Sequence, residues 1–216
     1  QTEQVLGTDG AFGLKAQDVD KMEKDSGGKI KLVLYPGVLD IMYFDVTSEP
    51  FNDPRVRRAV YLAMDRKELC EVTRKSFCEL GGFFIPGTVK ADNDSWNWPG
   101  YRYVDASGNV VKDPIGRDDV TKDPRDIQEA KDLVKAAGYE NFSSNLVVPN
   151  AGDWEPIAVV VRQQLQDTLG WDLTLKVGDL ATFYGELANN TAPLYQIQSA
   201  PILGTPEALI SALYQE

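Results

Sequence analysis

From Ser144 onward, strand-like and helix-like segments alternate: "SNLVVPN", a helix over 153–169 with Ile157, Val160, Val161 and Leu165 on one face, "DLTLKVG", the helix "LATFYGELA", "LYQIQSA" and the helix "PEALISALYQ". A chain that returns to strand after every helix must cover a sheet with those helices, because an isolated strand leaves its backbone groups and apolar faces unsatisfied. The expected fold class is α/β, a mixed sheet flanked by helices. In such sheets ligands bind beyond the carboxyl ends of the strands. "VVPNAGDW" therefore places Asn150 to Trp154 at that edge, where the N-terminus of a helix offers free N–H groups to an anionic or carbonyl ligand. The alternative is that Asp153 caps the helix and occupies those donors.

Upstream, "KIKLVLYP" and "DIMYFDVTS" read as strands separated by the turn signal Pro36-Gly37. In "FNDPRVRRAVYLAMDR", Asp53 is an N-cap and Pro54 takes the first helical position, where a missing N–H costs nothing. Val56, Ala59, Val60 and Ala63 make a narrow apolar stripe. Asp65 followed by Glu68 is a capping-box pattern that restarts the helix at a new angle. "DPRDIQEAKDLVKAAGY" repeats this start chemistry with Asp123 and Pro124; Ile127, Ala130, Val134 and Ala137 point inward and Gly138 stops the helix. Residues 1–28 are polar, with one short helical candidate, "KAQDVDKMEK".

Residues 81–122 show no sustained period and read as a long loop region with a small hairpin around Ser107-Gly108-Asn109. Trp96, Trp98, Tyr101 and Tyr103 lie within eight residues of it. Their flat faces either hold a ligand or pack the loop onto the protein itself.

The 216 residues can bury a sizeable core, and the absence of any apolar run of about 18 residues leaves no sequence to span a bilayer as a helix. A formal charge of −11 repels phosphate backbones, so no nucleic-acid partner is expected. No histidine occurs, which removes His-based triads and the usual zinc sites. "DNDSW" lacks the glycine and terminal glutamate of a calcium loop, and no nucleophile elbow, Walker loop or dinucleotide fingerprint is found. Neither metal, cofactor nor catalysis is expected, although a pair of catalytic carboxylates would be invisible among 33 acidic residues. Arg55, Arg57, Arg58 and Arg66 scatter around polar helix faces and read as solvated charges and local ion pairs. Cys70 and Cys78 are too far apart for a disulfide within one continuous helix, at about 12 Å. A helix ending near Lys75 would let Cys78 fold back; otherwise the two are buried thiols. The chain starts with Gln1, and is read as a piece of a longer product.

"PFNDPRVRRAVYLAMDRKEL", "DPRDIQEAKDLVKAAGY" and "IAVVVRQQLQDTLGWDLTLKVGDLATFYGELAN", in this order, resemble the family 5 extracellular solute-binding proteins, the peptide and nickel receptors of ABC importers. The resemblance runs from about Leu32 to Glu216 and implies a periplasmic-binding-protein-like lobe, with the long aromatic loop as an insertion. It implies that 29–216 form one α/β lobe, the second of two around a cleft, and that 1–28 join it from the first lobe. It further implies an extracytoplasmic monomer, periplasmic or a cell-surface lipoprotein, that captures a small solute or oligopeptide and works with an ABC transporter membrane permease. A ligand-sensing domain of a regulator and an oligosaccharide receptor are the alternatives. In peptide-binding relatives a tryptophan and an aspartate before a proline follow the last strand of this pattern, and the aspartate holds the peptide's amino terminus. Here Thr205 precedes Pro206 and no tryptophan lies near Ser199 or Ala200. A backbone facing the cleft over Gln198, Ser199, Ala200, Pro201 and Ile202 can pair with an extended ligand by strand addition; otherwise the ligand is neutral. With Asn150, Trp96 and Trp98, these are the candidate ligand-binding residues.

Overall fold

The computed structural model describes residues 21–22, 24–29, 39–74, 78, 80 and 100–199. The elements in chain order are β1 (Leu39–Phe44), α1 (Pro54–Ala63), α2 (Arg66–Arg74), β2 (Tyr103–Asp105), β3 (Val120–Lys122), α3 (Pro124–Ala137), β4 (Ser143–Pro149), α4 (Trp154–Leu169), β5 (Asp172–Gly178), α5 (Leu180–Ala188) and β6 (Leu194–Ser199). The expected segments 29–36 and 206–215 fall mainly or wholly outside the described residues, as do Trp96, Trp98, Ala200, Pro201 and Ile202. Of the early helical candidate, Lys21, Met22 and Lys24 are described and are helical.

Four strands form a mixed sheet in the order β1-β6-β4-β5, with β1 antiparallel to β6 and with β4 parallel to both β6 and β5. The crossovers β4–α4–β5 and β5–α5–β6 run in opposite directions across this sheet. Right-handed crossovers of opposite direction put α4 and α5 on opposite faces. Strand β4 is accordingly covered on both sides: Leu146, Val147 and Val148 are all buried. On α4 the buried stripe is Ile157, Ala158, Val161, Leu165 and Leu169, with Val160 half-buried at its margin.

Both "DPR" starts form as the sequence implies. Asp53 and Asp123 accept hydrogen bonds from the backbone N–H groups of Arg55 and Arg125 at 2.8 and 2.9 Å. Gly138 closes α3 at φ 83°, a left-handed conformation that favours glycine. The stripe of α1 is buried at Val56, Ala59, Val60 and Ala63. On α3 the inward positions Ala130 and Val134 are fully buried, Ile127 and Ala137 half-buried. Only half of the expected capping box forms: the Glu68 N–H donates to Asp65 Oδ1 at 3.1 Å, while the Glu68 carboxylate is engaged by Gln164 of α4 at 2.8 Å. The arginines are tied locally, as read: Arg55 to Asp53, Arg58 to Glu129, Arg57 to the Phe51 carbonyl, and Arg66 to the Tyr61 carbonyl.

The segment from Gly100 departs from a plain loop. Strands β2 and β3 pair as an antiparallel ribbon, and a tight turn closed by Gly108 N–H to Asp105 O stands where the hairpin was expected. Three-residue strands are too short to show alternation. Tyr101 and Tyr103 are buried, and Tyr103 reaches the α1–α2 bend. These two rings therefore pack the loop onto its own lobe.

Candidate functional site

The two edges of the four-stranded sheet differ in chemistry. At the amino edge Phe44, Phe51, Phe142 and Trp171 pack ring against ring, with centroids 4.7–6.0 Å apart. Trp171 donates its indole N–H to the Tyr139 carbonyl at 2.9 Å. This edge is filled by the core. At the opposite edge β4, β5 and β6 end at Pro149, Gly178 and Ser199, and β1, running the other way, begins at Leu39 opposite Ser199.

The ladders at this edge are unequal. β4 pairs with β5 over its whole length, to Pro149 opposite Gly178, and β6 pairs with β1 from Leu194 to Ser199. β4 and β6 pair only at Leu146–Leu194 and Val147–Tyr195. Beyond Tyr195 β6 keeps its ladder to β1 on one flank, and among the described residues no further ladder pair joins it to β4. A strand flank without a ladder carries backbone donors and acceptors available to an extended partner. Gln198 and Ser199 lie on this stretch and, by the same register, past Pro149, the last residue of β4.

Asn150 stands at the same edge but on the other side of β4. Its backbone N–H donates to the Gly178 carbonyl at 2.7 Å, prolonging the β4–β5 pairing, and the residue is exposed. The structure thus brings Asn150, Gln198 and Ser199 to one edge. Of the two readings of this helix start, the cap by Asp153 is not found: its side chain makes no cap hydrogen bond. It is turned instead toward Arg74, with Arg74 Nη1 3.4 Å from Asp153 Oδ2. The other terminal nitrogen of Arg74 meets Asp40 Oδ1 of β1 at 3.2 Å. The guanidinium is 12% exposed, Asp153 7% and Asp40 34%. One cation is therefore held between carboxylates of two different elements, and three separate stretches of chain meet at the edge.

Arg74 is the last residue of α2, and Cys70, one helical turn before it, is bonded to Cys78 as a disulfide with Cα atoms 6.1 Å apart. Of the two readings left by the sequence, the disulfide is the one found, since α2 ends at Arg74 and allows the chain to turn back. The last parallel-strand connection is capped: Asp179 accepts from the Thr182 N–H at 2.8 Å, and this bond with that of the Thr182 hydroxyl holds the carboxyl below its ordinary value. Neither Arg74 nor Asp40 stood out in the sequence. The available signal for Arg74 was its i+4 spacing from Cys70 at the end of a helix.

Among the described residues the edge offers backbone hydrogen bonds and the carboxylates of Asp40 and Asp153. Among the described residues no group of three His, Cys, Asp or Glu side chains is placed to hold a metal ion, and no helix is long and apolar enough to cross a membrane.

A family model described as "Bacterial extracellular solute-binding proteins, family 5 Middle" matches residues 7–216. The dipeptide-binding protein DppE of Bacillus subtilis (strain 168) is 25% identical over 137 residues, 61% of this chain and 22% of that protein. Among solved structures, the Burkholderia pseudomallei OppA has a TM-score of 0.68 at 15% identity, covering 93% of this chain and 36% of its own. The Escherichia coli murein tripeptide binding protein MppA has a TM-score of 0.67 at 19% identity, covering 92% and 36%. The Helicobacter pylori periplasmic binding protein DppA, solved with the peptide STSA, has a TM-score of 0.65 at 15% identity, covering 94% and 35%. At these identities the solved structures establish a shared fold, and the chain spans about a third of their length or less.

Proposed function

Because this chain belongs to the bacterial extracellular solute-binding proteins, family 5, we propose that it is the second lobe of a two-lobed extracytoplasmic receptor that captures an extended, oligopeptide-like solute. The observation that supports this reading is the described flank of β6 beyond Tyr195, which is laddered to β1 and not to β4. A peptide presents a regular row of N–H and C=O groups, and the flank of β6 is complementary to such a row whatever the side chains. The relatives, which include a dipeptide-binding protein, a murein tripeptide binding protein and a peptide-bound periplasmic protein, point to the same class of ligand.

In this reading residues 29–216 are one lobe and 1–28 lead in from the other. The solute bridges both lobes and stabilises the closed arrangement, which an ABC permease then receives. Nothing in this role calls for catalysis. The Cys70–Cys78 disulfide suits an oxidising, extracytoplasmic compartment. A lobe carrying half of the contacts holds its ligand weakly on its own.

Native mass spectrometry of the gently purified full-length parent tests the ligand class. A ladder of peptide masses is expected; a single saccharide mass would retire the peptide reading and transfer attention to the stretch around Trp96 and Trp98. Calorimetry on the 216-residue chain tests the half-site, for which sub-micromolar binding to an oligopeptide mixture is the contrary result.

A further inference from the structure

The geometry points to a redox-dependent positioning device: the Cys70–Cys78 disulfide holds Arg74 between Asp40 and Asp153 and so sets the arrangement of the carboxyl edge. Arg74 lies inside the loop that the disulfide closes, at the last position of α2. The last turn of a helix has carbonyl groups without intrahelical donors and frays first. The ion pairs of Arg74 do not by themselves stop that fraying. Two are at 3.2 and 3.4 Å, the Asp40 partner is one-third exposed, and a long side chain must be ordered to make them. The covalent tie removes the conformations in which Arg74 swings away.

Arg74 is thus a positioning residue that acts through Asp153 on the β4–α4 connection. Asp153 is buried and makes no cap to α4, so with Arg74 withdrawn its carboxylate is left with neither cation nor helix donors among the described contacts. Burial of an unpaired carboxylate is unfavourable, and the connection from Asn150 to Asp153 must rearrange to return it to water. Reduction proceeds by attack of a dithiol's thiolate on Cys78, which is half-buried whereas Cys70 is buried. The Cys70 thiolate leaves and takes up a proton. The second thiol of the reductant then displaces Cys78, so two electrons and two protons pass to the protein and the reductant ends as its own disulfide. The inference rests on the carboxyl edge as the ligand-facing edge for its meaning, but its test needs no ligand.

Amide hydrogen exchange of the 216-residue chain is measured oxidised and after dithiothreitol. Exchange over Asn150–Ile157 should accelerate by about tenfold more than exchange over α3 and β5, the margin that marks local rather than global opening. R74A in the oxidised chain should reproduce this local acceleration, R74K should largely avoid it, and reduction of R74A should add nothing at that segment. An equal change over Asn150–Ile157, α3 and β5, no change at all, or additive effects of reduction and R74A would each overturn the proposal. Should R74A fail to fold, the wild-type comparison decides alone. Native mass spectrometry of the parent can fail to find peptide without altering any of these outcomes.

Discussion

Gln164 and Asp65, 99 residues apart, exchange a pair of hydrogen bonds: the Asp65 N–H donates to Gln164 Oε1 at 3.0 Å, and Gln164 Nε2 donates back to the Asp65 carbonyl at 3.0 Å. This amide stands where a backbone partner would stand in a continuous helix. It satisfies the Asp65 N–H at the bend between α1 and α2, adds a second donor to the Asp65 carbonyl, which also accepts the Leu69 N–H, and ties α4 to that bend. The Q164L variant loses both bonds at a 7% exposed position and is expected to destabilise the chain by about 2 kcal/mol. Q164E should cost more, since it puts a second carboxylate against Glu68. Guanidinium denaturation midpoints of the three proteins check the order.

Tyr103 joins the β2–β3 ribbon to the same bend. Its hydroxyl donates to Asp65 Oδ1 at 2.9 Å and accepts the Lys67 N–H at 2.7 Å. Burial, with the Asp65 charge beside it, pushes the phenol far above its ordinary value, so it remains a donor throughout the working range. Y103F leaves the Lys67 N–H without its acceptor and Asp65 Oδ1 with only the Glu68 N–H, and should cost about 1–2 kcal/mol. Hydrogen exchange should rise over Tyr103–Asp105 before it rises in β4.

Asp123 caps α3 and meets the Arg125 side chain, and these bonds hold its carboxyl below the ordinary 3.8. A depressed folded value contributes stability that is complete above the unfolded value and lost as pH falls through the folded one. D123A should therefore cost about 1 kcal/mol at neutral pH. The gap between wild type and D123N should shrink as urea denaturation is repeated below pH 3.8.

Asp126 is 0% exposed and holds Arg102 at 2.6 Å and Lys122 at 3.0 Å. Burial lowers the Lys122 value despite the attraction of Asp126. D126A strands the buried Lys122 and takes the nearer carboxylate from Arg102, which is one-third exposed and keeps Asp123 at 3.5 Å, and should cost about 3 kcal/mol. K122M, which removes a charge that burial already disfavours, should cost less; thermal unfolding compares the two.

Local chemistry was legible in the residues. Asp53-Pro54 and Asp123-Pro124 announce helix starts because the side chain that satisfies the first N–H groups lies within two or three positions of them. Gly138 announces a stop for the same local reason. Asp126 was legible in principle. It falls four residues before Ala130 and eight before Val134, on the buried stripe, and a charge on a core face implies buried partners.

The edge was legible only as a location. Alternation after Ser144 places Asn150, Gln198 and Ser199 at the carboxyl ends of strands, but periodicity carries no information on which strands become neighbours. The β4–β6 ladder joins Leu146 to Leu194 and Val147 to Tyr195, residues far apart in the chain. Asp153 shows the same limit: next to a helix start it reads as a cap, and the competing cation, Arg74, is 79 residues away.

The amino-acid sequence by itself determined the helices and the strands β4, β5 and β6 among the described residues, the starts of α1 and α3, the stop of α3 and the α/β class, because these rest on patterns a few residues long. Tertiary structure alone decided the strand order, the β4–β6 ladder, the Arg74 bridge and the Gln164 clasp. Those depend on residues separated by tens of positions, whose meeting is set by the packing of the whole core and not by any local preference.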